Sequence, residues 1–252
     1  MARGILITGA SSGLGRALAL AYAEPGVHLF LTGRDPGRLL AVADEVRRRG
    51  AEATQREVEV TDREGMAAWI GQADALTPLR LVIANAGISA GTGGRGLESD
   101  EETRRILAVN IDGVVNTVLP AIDCLRRRGG GRIVLMSSLA GFRGMPTASA
   151  YCASKAAVRV WGEGLRGALA GDGIGVTVIC PGFVETPLTA VNRFPMPFLM
   201  SADRAAALMR RAIDSNRARF SCPWPMAAMA WLLAALPPGL TDYLVTRLPA
   251  KG

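Results

Sequence analysis

Tyr151 and Lys155 are the residues whose types and spacing point most directly to chemistry. The chain has 29 lysine and arginine residues, yet only Lys155 and Lys251 are lysines. Lys251 lies next to the C-terminus, so Lys155 is the one lysine far from the chain ends. It lies four residues after Tyr151, which is one of only 3 tyrosines. Residues four positions apart share one face of a helix, so the ammonium and the phenol are expected to be neighbours.

An ammonium group beside a phenol favours the phenolate, which would prepare Tyr151 for acid–base chemistry. A free tyrosine has a pKa near ~10, so proton transfer close to neutral pH needs a shift of roughly 3 units. We expect Lys155, together with a cationic cofactor, to lower the pKa of Tyr151 in this way. The competing interpretation is an ordinary surface pair on a helix.

The glycine-rich segment 8–15 (TGASSGLG) follows a predicted strand and opens a predicted helix. Glycines at 9, 13 and 15 permit a tight turn, and a helix N-terminus presents free N–H groups to phosphate. This context predicts a dinucleotide site. The string GxGxxG also occurs at 91–96, in a loop well after the fourth predicted strand, and at 162–167, inside a predicted helix, so we interpret both as coincidences.

The second predicted strand ends at Gly33 and is followed by Arg34 and Asp35. An acidic residue at this tip binds the ribose hydroxyls of NAD, whereas an arginine suits the 2′-phosphate of NADP. Arg34 therefore favours NADP(H), while Asp35 keeps NAD(H) open as the alternative. A helix cap before Pro36 is the structural interpretation of both residues.

Short apolar runs alternate with helical patterns along the chain, and runs such as 133–136 are typical of strands covered on both faces. The alternation predicts an α/β fold: a Rossmann-like, doubly wound parallel sheet of about seven strands with helices on both faces. The predicted strands are 4–8, 27–32, 53–58, 80–84, 131–137, 174–180 and 218–222. The predicted helices are 14–24, 36–49, 63–74, 99–128, 151–170 and 202–216.

The composition is that of a compact protein of 252 residues, 49% hydrophobic and 20% charged. The net charge of +7 comes almost wholly from arginine, which would suit a nucleic-acid partner. However, the arginine clusters 47–49 and 126–128 each precede a glycine. Cations followed by a left-handed glycine are typical of helix C-termini, so we predict no nucleic-acid binding.

The 4 cysteines are widely spaced and form no CxxC pair, and His28 is the single histidine. This pattern predicts neither a metal site nor a disulfide framework. Unpaired cysteines, with no signal-peptide pattern at the N-terminus, predict a cytoplasmic protein. No apolar run is expected to reach the ~20 residues that span a bilayer.

The glycine-rich segment and the Tyr151–Lys155 pair are two of several motifs that follow one another in the order typical of one protein family. Over residues 3–220 the chain resembles the single-domain short-chain dehydrogenase/reductase family. Segment 8–15 matches TGxxxGxG, and 84–87 (ANAG) matches NNAG with its first asparagine replaced. Asn110 matches the active-site asparagine, and Ser138 precedes the YxxxK motif of Tyr151 by 13 residues. The last motif, PGxxxT, is matched by 181–186.

The resemblance implies reversible hydride transfer between a nicotinamide and a carbonyl or alcohol. Tyr151 would exchange the hydroxyl proton, and Lys155 would lower its pKa and hold the nicotinamide ribose. Ser138 would hydrogen-bond the substrate oxygen, and Asn110 would hold a water linking Lys155 to solvent. The implied cofactor contacts are Gly9, Ser11, Ser12, Gly13, Leu14, Gly15, Arg34, Glu59, Val60, Asn85, Ala86, Gly87, Tyr151, Lys155, Pro181, Gly182, Val184 and Thr186.

Besides Ala84, the cofactor side departs from the family's pattern at two further places. Glu59 and Val60 stand where an aspartate usually contacts the adenine, and Ser12 stands where NADP-preferring members often carry a basic residue. All catalytic positions are kept, so the resemblance favours an active enzyme. A non-catalytic NADP(H)-binding sensor and a membrane-associated binding module are the alternatives.

Segment 188–200 follows the PG motif, and in the family this region closes over the substrate. Its apolar side chains predict a hydrophobic carbonyl compound, whereas a packed surface loop is the alternative. Residues 91–96 are expected at the rim of the same mouth. The predicted substrate contacts are Ser138, Tyr151, Phe183, Phe194, Met196 and Phe198.

Residues 223–252 are rich in proline, tryptophan and leucine and fall outside the family's pattern. We predict a catalytic domain over 1–222 and a C-terminal apolar extension over 223–252. The extension packs on its own domain or on a partner subunit, covers the substrate mouth, or lies in a membrane interface through 224–236. Members of the family commonly assemble through the long helices, which predicts a homodimer or a homotetramer acting on a small molecule.

Overall fold

The computed structural model describes residues 3–90, 97–192 and 194–245, so residues 91–96 and their predicted rim lie outside the described part. The strands are β1 (Arg3–Thr8), β2 (Val27–Gly33), β3 (Glu52–Glu57), β4 (Leu79–Ala84), β5 (Gly131–Met136), β6 (Ile174–Pro181) and β7 (Arg219–Cys222). The helices are α1 (Gly13–Ala21), α2 (Pro36–Arg48), α3 (Arg63–Leu76), α4 (Asp100–Leu107), α5 (Gly113–Arg127), α6 (Ser149–Ala168), α7 (Pro187–Ala190), α8 (Ala202–Asp214), α9 (Trp224–Ala235) and α10 (Pro238–Val245).

The strands form one parallel sheet in the order β3-β2-β1-β4-β5-β6-β7. The chain builds outward from β1 to β3, then crosses to the other side of β1 and builds outward again. At this reversal the loops after β1 and β4 diverge, and open α/β sheets bind ligands in the resulting crevice. The predicted doubly wound sheet is confirmed, with all seven predicted strands in place.

The strands are covered on both faces because their apolar side chains alternate between two cores. Ile5 and Ile7 of β1 pack in a cluster with α1, α2 and α8, whereas Leu6 packs in a second cluster with α3, α5 and α6. All three side chains are almost fully buried. Burial of each such side chain contributes about 1.5–3 kcal/mol, so these two layers hold the sheet and its loops in place.

The helices differ in how they begin. α2, α3 and α8 are capped by the side chains of Asp35, Asp62 and Ser201, each accepting a backbone hydrogen bond three residues later. α1 begins after Ser12, whose side chain makes no cap hydrogen bond, and α6 begins after Ala148. Both α1 and α6 therefore start with backbone N–H groups that their own cap side chains do not satisfy.

The predicted helix 99–128 is divided by a π-helical turn over Ala108–Asp112. The π turn inserts an extra residue and turns Asn110 into the protein, where its side chain is fully buried. The combined helix Asp100–Arg127 has the length and mean hydropathy of a helix that could cross a membrane, although polar residues interrupt its apolar run. Its apolar face, including Val118 and Leu125, is nevertheless part of the core, as in a buried helix.

The arginine clusters lie at helix C-termini, as predicted. α2 ends at Arg48 and α5 at Arg127, and the left-handed glycines that follow have φ of +89° at Gly50 and +73° at Gly129.

His28 is buried in β2 between the hydroxyls of neighbouring threonines. The four cysteines are buried and free.

Candidate active site

The glycine turn after β1 is shaped for close approach of a ligand to the backbone. Gly9 and Gly13 have positive φ values of +66° and +54°, and a Cβ at Gly15 would overlap the carbonyl oxygen of Gly9. Asn85 closes the turn from β4, because its Nδ2 donates to the carbonyl oxygen of Thr8 at 2.9 Å. The turn thus forms a cradle, lined by backbone, in front of the free N–H groups of α1.

This cradle fits the pyrophosphate of a dinucleotide. Uncapped N–H groups and the positive end of the α1 dipole both favour a phosphate at that position. Gly33 at the tip of β2 leaves room beside the turn, since a Cβ there would lie 3.0 Å from Oγ of Ser11. The cofactor residues predicted on this side of the crevice line a single cavity: Gly9, Ser11, Ser12, Gly13, Leu14, Gly15, Arg34, Asn85, Ala86 and Gly87.

The two charged residues after β2 have different environments. Asp35 caps α2, accepting from the backbone of Arg38 at 2.8 Å and from its guanidinium at 2.6 Å. Arg34 is exposed, lines the cavity and has no ion pair or hydrogen bond with the described residues. The cap interpretation therefore holds for Asp35, whereas the guanidinium of Arg34 is available to a ligand.

The end of β3 supplies the opposite wall of the cavity. Val60 is buried against Gly113 at the start of α5, where a Cβ would approach its side chain to 2.6 Å. Asn116 of α5 donates to the carbonyl oxygen of Val60 at 3.0 Å, which holds this segment in place. Glu59 is exposed and also lines the cavity, so both residues lie where an adenine contact was predicted.

Lys155 is 4% exposed and lies beside Tyr151, with Nζ 5.7 Å from the centre of the phenol ring. Its Nζ donates to the carbonyl oxygen of Met136 at 2.9 Å. Loss of solvation lowers the pKa of Lys155 to about 8. The surface-pair interpretation of these two residues is therefore wrong, because both open on the crevice and the lysine is buried.

The pKa of Tyr151 differs from the sequence prediction. We expected Lys155 and a cationic cofactor to lower it together; among the protein's own groups, burial raises the pKa of Tyr151 to about 12, and the nearby hydroxyl of Ser138 only partly opposes this effect. Desolvation dominates because the ammonium of Lys155 is directed at a backbone carbonyl and is itself poorly solvated. In this structure, Tyr151 is held as the neutral phenol.

Ser138 follows β5 and lies between two backbone segments. Its Oγ donates to the carbonyl oxygen of Pro181 at 3.3 Å and accepts from the backbone N–H of Ala140 at 3.1 Å. The preceding residue, Ser137, donates its hydroxyl to the carbonyl oxygen of Lys155 at 2.7 Å. Ser137 thus ties the end of β5 to α6, a contact that the sequence did not reveal.

Asn110 connects the π turn to two other elements. Its Nδ2 donates to the carbonyl oxygen of Ile88 at 2.9 Å and to Oγ of Ser154 at 3.0 Å, and its Oδ1 accepts from the N–H of Ile88 at 2.8 Å. Gly87 lies beside it, where a Cβ would be 3.1 Å from Nζ of Lys155 and 3.2 Å from Oδ1 of Asn110. Only a residue without a side chain leaves this space open.

The segment after β6 reaches over the glycine turn. A Cβ at Gly13 would lie 3.2 Å from the side chain of Thr186, which begins the short helix α7. Val184 pairs with Met200, so the chain just before segment 188–200 is joined to the end of that segment. The four predicted cofactor residues Pro181, Gly182, Val184 and Thr186 all line the cavity.

The substrate end of this cavity, which has a total volume of about 1310 Å³, is apolar. Phe183 and Phe194 meet edge to face at 5.9 Å, and Phe198 also lines the wall. Met196 was predicted at this wall but is absent from the lining. Its sulfur instead accepts from Nδ2 of Asn192 at 3.4 Å.

α9 supplies a part of the wall that was not assigned from the sequence. Met226, Met229, Ala230 and Leu233 line the cavity beside the aromatic residues. Their spacing of three or four residues marks one helical face, but α9 is apolar all round, so periodicity did not distinguish that face. Of the three interpretations of the C-terminal extension, the one in which it covers the predicted substrate mouth agrees with this inner face of α9.

Comparisons with known proteins agree with this geometry. Residues 3–195 match the short chain dehydrogenase family. An uncharacterized oxidoreductase of Myxococcus xanthus is 41% identical over 247 residues, which cover 98% of this chain and 97% of that protein. The galactitol 2-dehydrogenase (L-tagatose-forming) of Cereibacter sphaeroides is 35% identical over 191 residues, covering 74% of this chain and 73% of that protein.

Among solved structures, a short-chain type dehydrogenase/reductase from Mycobacterium marinum superimposes with a TM-score of 0.79 at 27% identity. The match covers 88% of this chain and 96% of that one. The fold and the crevice define an NAD(P)-dependent dehydrogenase or reductase. This chain belongs to the short-chain dehydrogenase/reductase family, and nothing in the comparisons supports a non-catalytic sensor or a membrane-associated binding module as its function.

Proposed function

We propose that the protein is an NADP-dependent oxidoreductase that interconverts an apolar ketone and the corresponding secondary alcohol. The observation that carries this proposal is the shared cavity, into which Ser138, Tyr151 and Lys155 open together with the glycine turn. The relative from Cereibacter sphaeroides, named for forming a ketose from an alditol, supports chemistry at a secondary alcohol.

The protein's own groups handle the proton of this reaction. The bound nicotinamide supplies or accepts the hydride. The neutral phenol of Tyr151 donates its proton to the carbonyl oxygen during reduction, and Ser138 donates a hydrogen bond to the same oxygen. Lys155 replaces the lost proton, because its lowered pKa makes the ammonium a ready donor near neutral pH. Asn110 keeps the backbone around Ile88 beside Lys155.

The preference for NADP(H) is supported by the difference between the two charged residues after β2. The carboxylate of Asp35 is occupied by Arg38 and by the start of α2, so it is poorly placed to accept from a ribose hydroxyl. Arg34 offers in the cavity wall a guanidinium that pairs with none of the described residues, and guanidinium–phosphate contacts are among the stronger hydrogen bonds in proteins. A 2′-phosphate would thus find a partner here.

An apolar substrate is supported by the composition of the wall. Aromatic and aliphatic side chains surround the space next to Tyr151, and Arg143 brings a charge to this end. The guanidinium of Arg143 already donates to Asp242 at 2.5 Å and to Thr241 at 3.2 Å. We expect it to hold α10 in place rather than to bind an anionic substrate.

We also propose a homodimer or homotetramer formed through α5 and α6. Each helix presents a large apolar side chain to solvent, Leu119 at 49% and Val160 at 58% exposure. Small residues next to Val160, such as Ala157 and Gly164, are exposed and allow close approach of a second helix.

The test is a comparison of initial rates with NADPH and with NADH on methyl ketones of increasing chain length, with a ketose as the polar control. We expect NADPH to give at least about tenfold higher kcat/KM, because a charge-assisted contact is worth about 1.5–3 kcal/mol. We expect kcat/KM to rise roughly fourfold with each methylene group. A preference for NADH, or for the ketose, would overturn the corresponding part of the proposal.

A further inference from the structure

The C-terminal part of the structure exposes an apolar surface without a single charged side chain. Between Arg219 and Asp242 the sequence contains no charged residue. α9 and the start of α10 occupy most of this stretch. α9 packs on the domain through Met226, Ala227 and Ala230, which join the small core cluster beside β6. None of the residues that the structure describes covers the opposite face of α9.

This outer face carries large apolar side chains. Trp224 is 78% exposed, Trp231 is 62% exposed and Leu232 is 58% exposed, and Leu240 at the start of α10 is 67% exposed. Trp224 and Trp231 are seven residues apart and thus lie on one stripe of the helix. A surface helix of a globular protein normally places polar residues on this side, and contiguous apolar patches mark interaction sites.

The chemistry of the outer face favours lipid over protein as its partner. Protein interfaces combine an apolar centre with a polar rim and several direct hydrogen bonds, and this face offers only the indole N–H groups as side-chain donors. Tryptophan is the residue type enriched where a membrane meets water, since its ring is apolar and its N–H is polar. At 12 residues, α9 is too short to span a bilayer and suits a position in the interface.

Charge also complements an anionic membrane. The protein has a net charge of +7. The uncharged stretch is preceded in the sequence by Arg217 and Arg219 and followed by Arg247 and Lys251, with Asp242 as the acidic residue among them. Basic residues near a membrane-facing segment are attracted to the negative surface potential of anionic lipids.

We propose that α9 and the start of α10 dock on an anionic lipid surface, with Trp224 and Trp231 inserted at the headgroup level. The inner face of the same helix lines the cavity, so docking would bring the apolar end of the cavity close to the lipid. An apolar ketone could then reach the cavity from the membrane over a short distance. That last consequence rests on the proposed function, whereas the docking itself does not.

The experiment is sedimentation of the full-length protein with vesicles of phosphatidylglycerol and phosphatidylcholine, and with vesicles of phosphatidylcholine alone. A double variant, Trp224→Gln with Trp231→Gln, removes both anchors. Leu76→Gln is the matched control, because Leu76 is 64% exposed at the end of α3 and is equally apolar. Matching thermal unfolding of all three proteins establishes that they are folded.

We expect the wild type and Leu76→Gln to sediment with the anionic vesicles, and added salt to weaken this binding. We expect the double variant to partition at least about tenfold less, since each anchor buries a large apolar ring. Vesicles with brominated acyl chains should also quench the tryptophan fluorescence of the wild type, a measurement that needs no variant.

Three results would overturn the proposal. The wild type could remain in the supernatant with unquenched fluorescence, or the double variant could bind as well as the wild type. The third contradictory result is that the wild type binds no vesicles and forms an oligomer that the double substitution dissociates. That result would mean that a second copy of the chain covers this face. None of these measurements uses turnover, so they do not depend on the proposed function.

Discussion

The phenol of Tyr151 and the ammonium of Lys155 are displaced from their ordinary pKa values in opposite directions, to about 12 and to about 8. One cause accounts for both, because burial penalises whichever form is charged. The phenol is consequently held neutral and the ammonium is ready to lose its proton. A neutral phenol is the form that can donate a proton to a carbonyl oxygen.

Lys155 should make the stability of the protein depend on alkaline pH. Between pH 8 and 10.5 the unfolded chain keeps a proton on Lys155 that the folded protein has lost, so stability rises with pH in this window. Relative to Lys155→Met, the free energy of unfolding of the wild type should increase by about 3 kcal/mol across the window. Urea unfolding of both cofactor-free proteins at several pH values measures this difference, and parallel pH profiles would show that Lys155 keeps its ordinary pKa.

Arg34 should select the cofactor. In Arg34→Ala, we expect the Kd for NADPH to rise by about 10- to 100-fold while the Kd for NADH is unchanged, because only the former has a 2′-phosphate. Fluorescence titration of each cofactor gives both values. Arg48→Ala is the control, since Arg48 is paired with Glu45 at the far end of α2. Equal weakening of both cofactors would mean that Arg34 supports the turn and does not recognise phosphate.

At the scale of elements, the glycine turn and the start of α1 depend on close backbone packing. A side chain at Gly15 would overlap the Gly9 carbonyl oxygen, whereas a Cβ at Gly71, within α3, meets no atom. Gly15→Ala should therefore abolish dinucleotide binding and lower the free energy of unfolding by about 1–3 kcal/mol. Gly71→Ala should raise the free energy of unfolding by about 0.5–1 kcal/mol, because alanine is the better helix former. Chemical unfolding and cofactor titration of both variants test this pair, and similar behaviour of the two would exclude the steric explanation.

Strands, helix ends and the glycine turn were predictable because each has a local sequence signal. The continuous apolar runs at 81–83 and 133–136 predict buried strands, and the glycine after each arginine cluster predicts the end of a helix. The π turn at Ala108–Asp112 has no such signal, because an extra residue in a helix leaves the apolar pattern almost unchanged.

The site was less predictable where tertiary packing decides the outcome. Spacing on α6 placed Tyr151 beside Lys155, but the burial that raises the pKa of the tyrosine depends on tertiary packing, which spacing does not reveal. Met196 was assigned to the cavity from its apolar character, yet the conformation of its loop directs its sulfur to Asn192. Which face of α9 lines the cavity was equally hidden, because every face of that helix is apolar.

For the molecule as a whole, the reversal of the sheet at β1 and β4 explains why residues distant in sequence share one cavity. The cradle after β1, the serine after β5 and the segment after β6 all lie at the carboxyl edge of the sheet. α9, which follows the last of the family's motifs in the sequence, lines the apolar end of the cavity. The proposed dinucleotide site and the proposed apolar substrate site thus adjoin at Tyr151.

The measurement that tests this account most directly is NADPH oxidation with a panel of ketones, run on the wild type and on Tyr151→Phe. We predict that the wild type turns over at least one apolar ketone. We predict that kcat of Tyr151→Phe falls by about 10²–10⁴-fold, because the variant lacks the proton donor, while the Kd for NADPH is unchanged. Turnover that survives in Tyr151→Phe would contradict the assignment of the phenol as the proton donor.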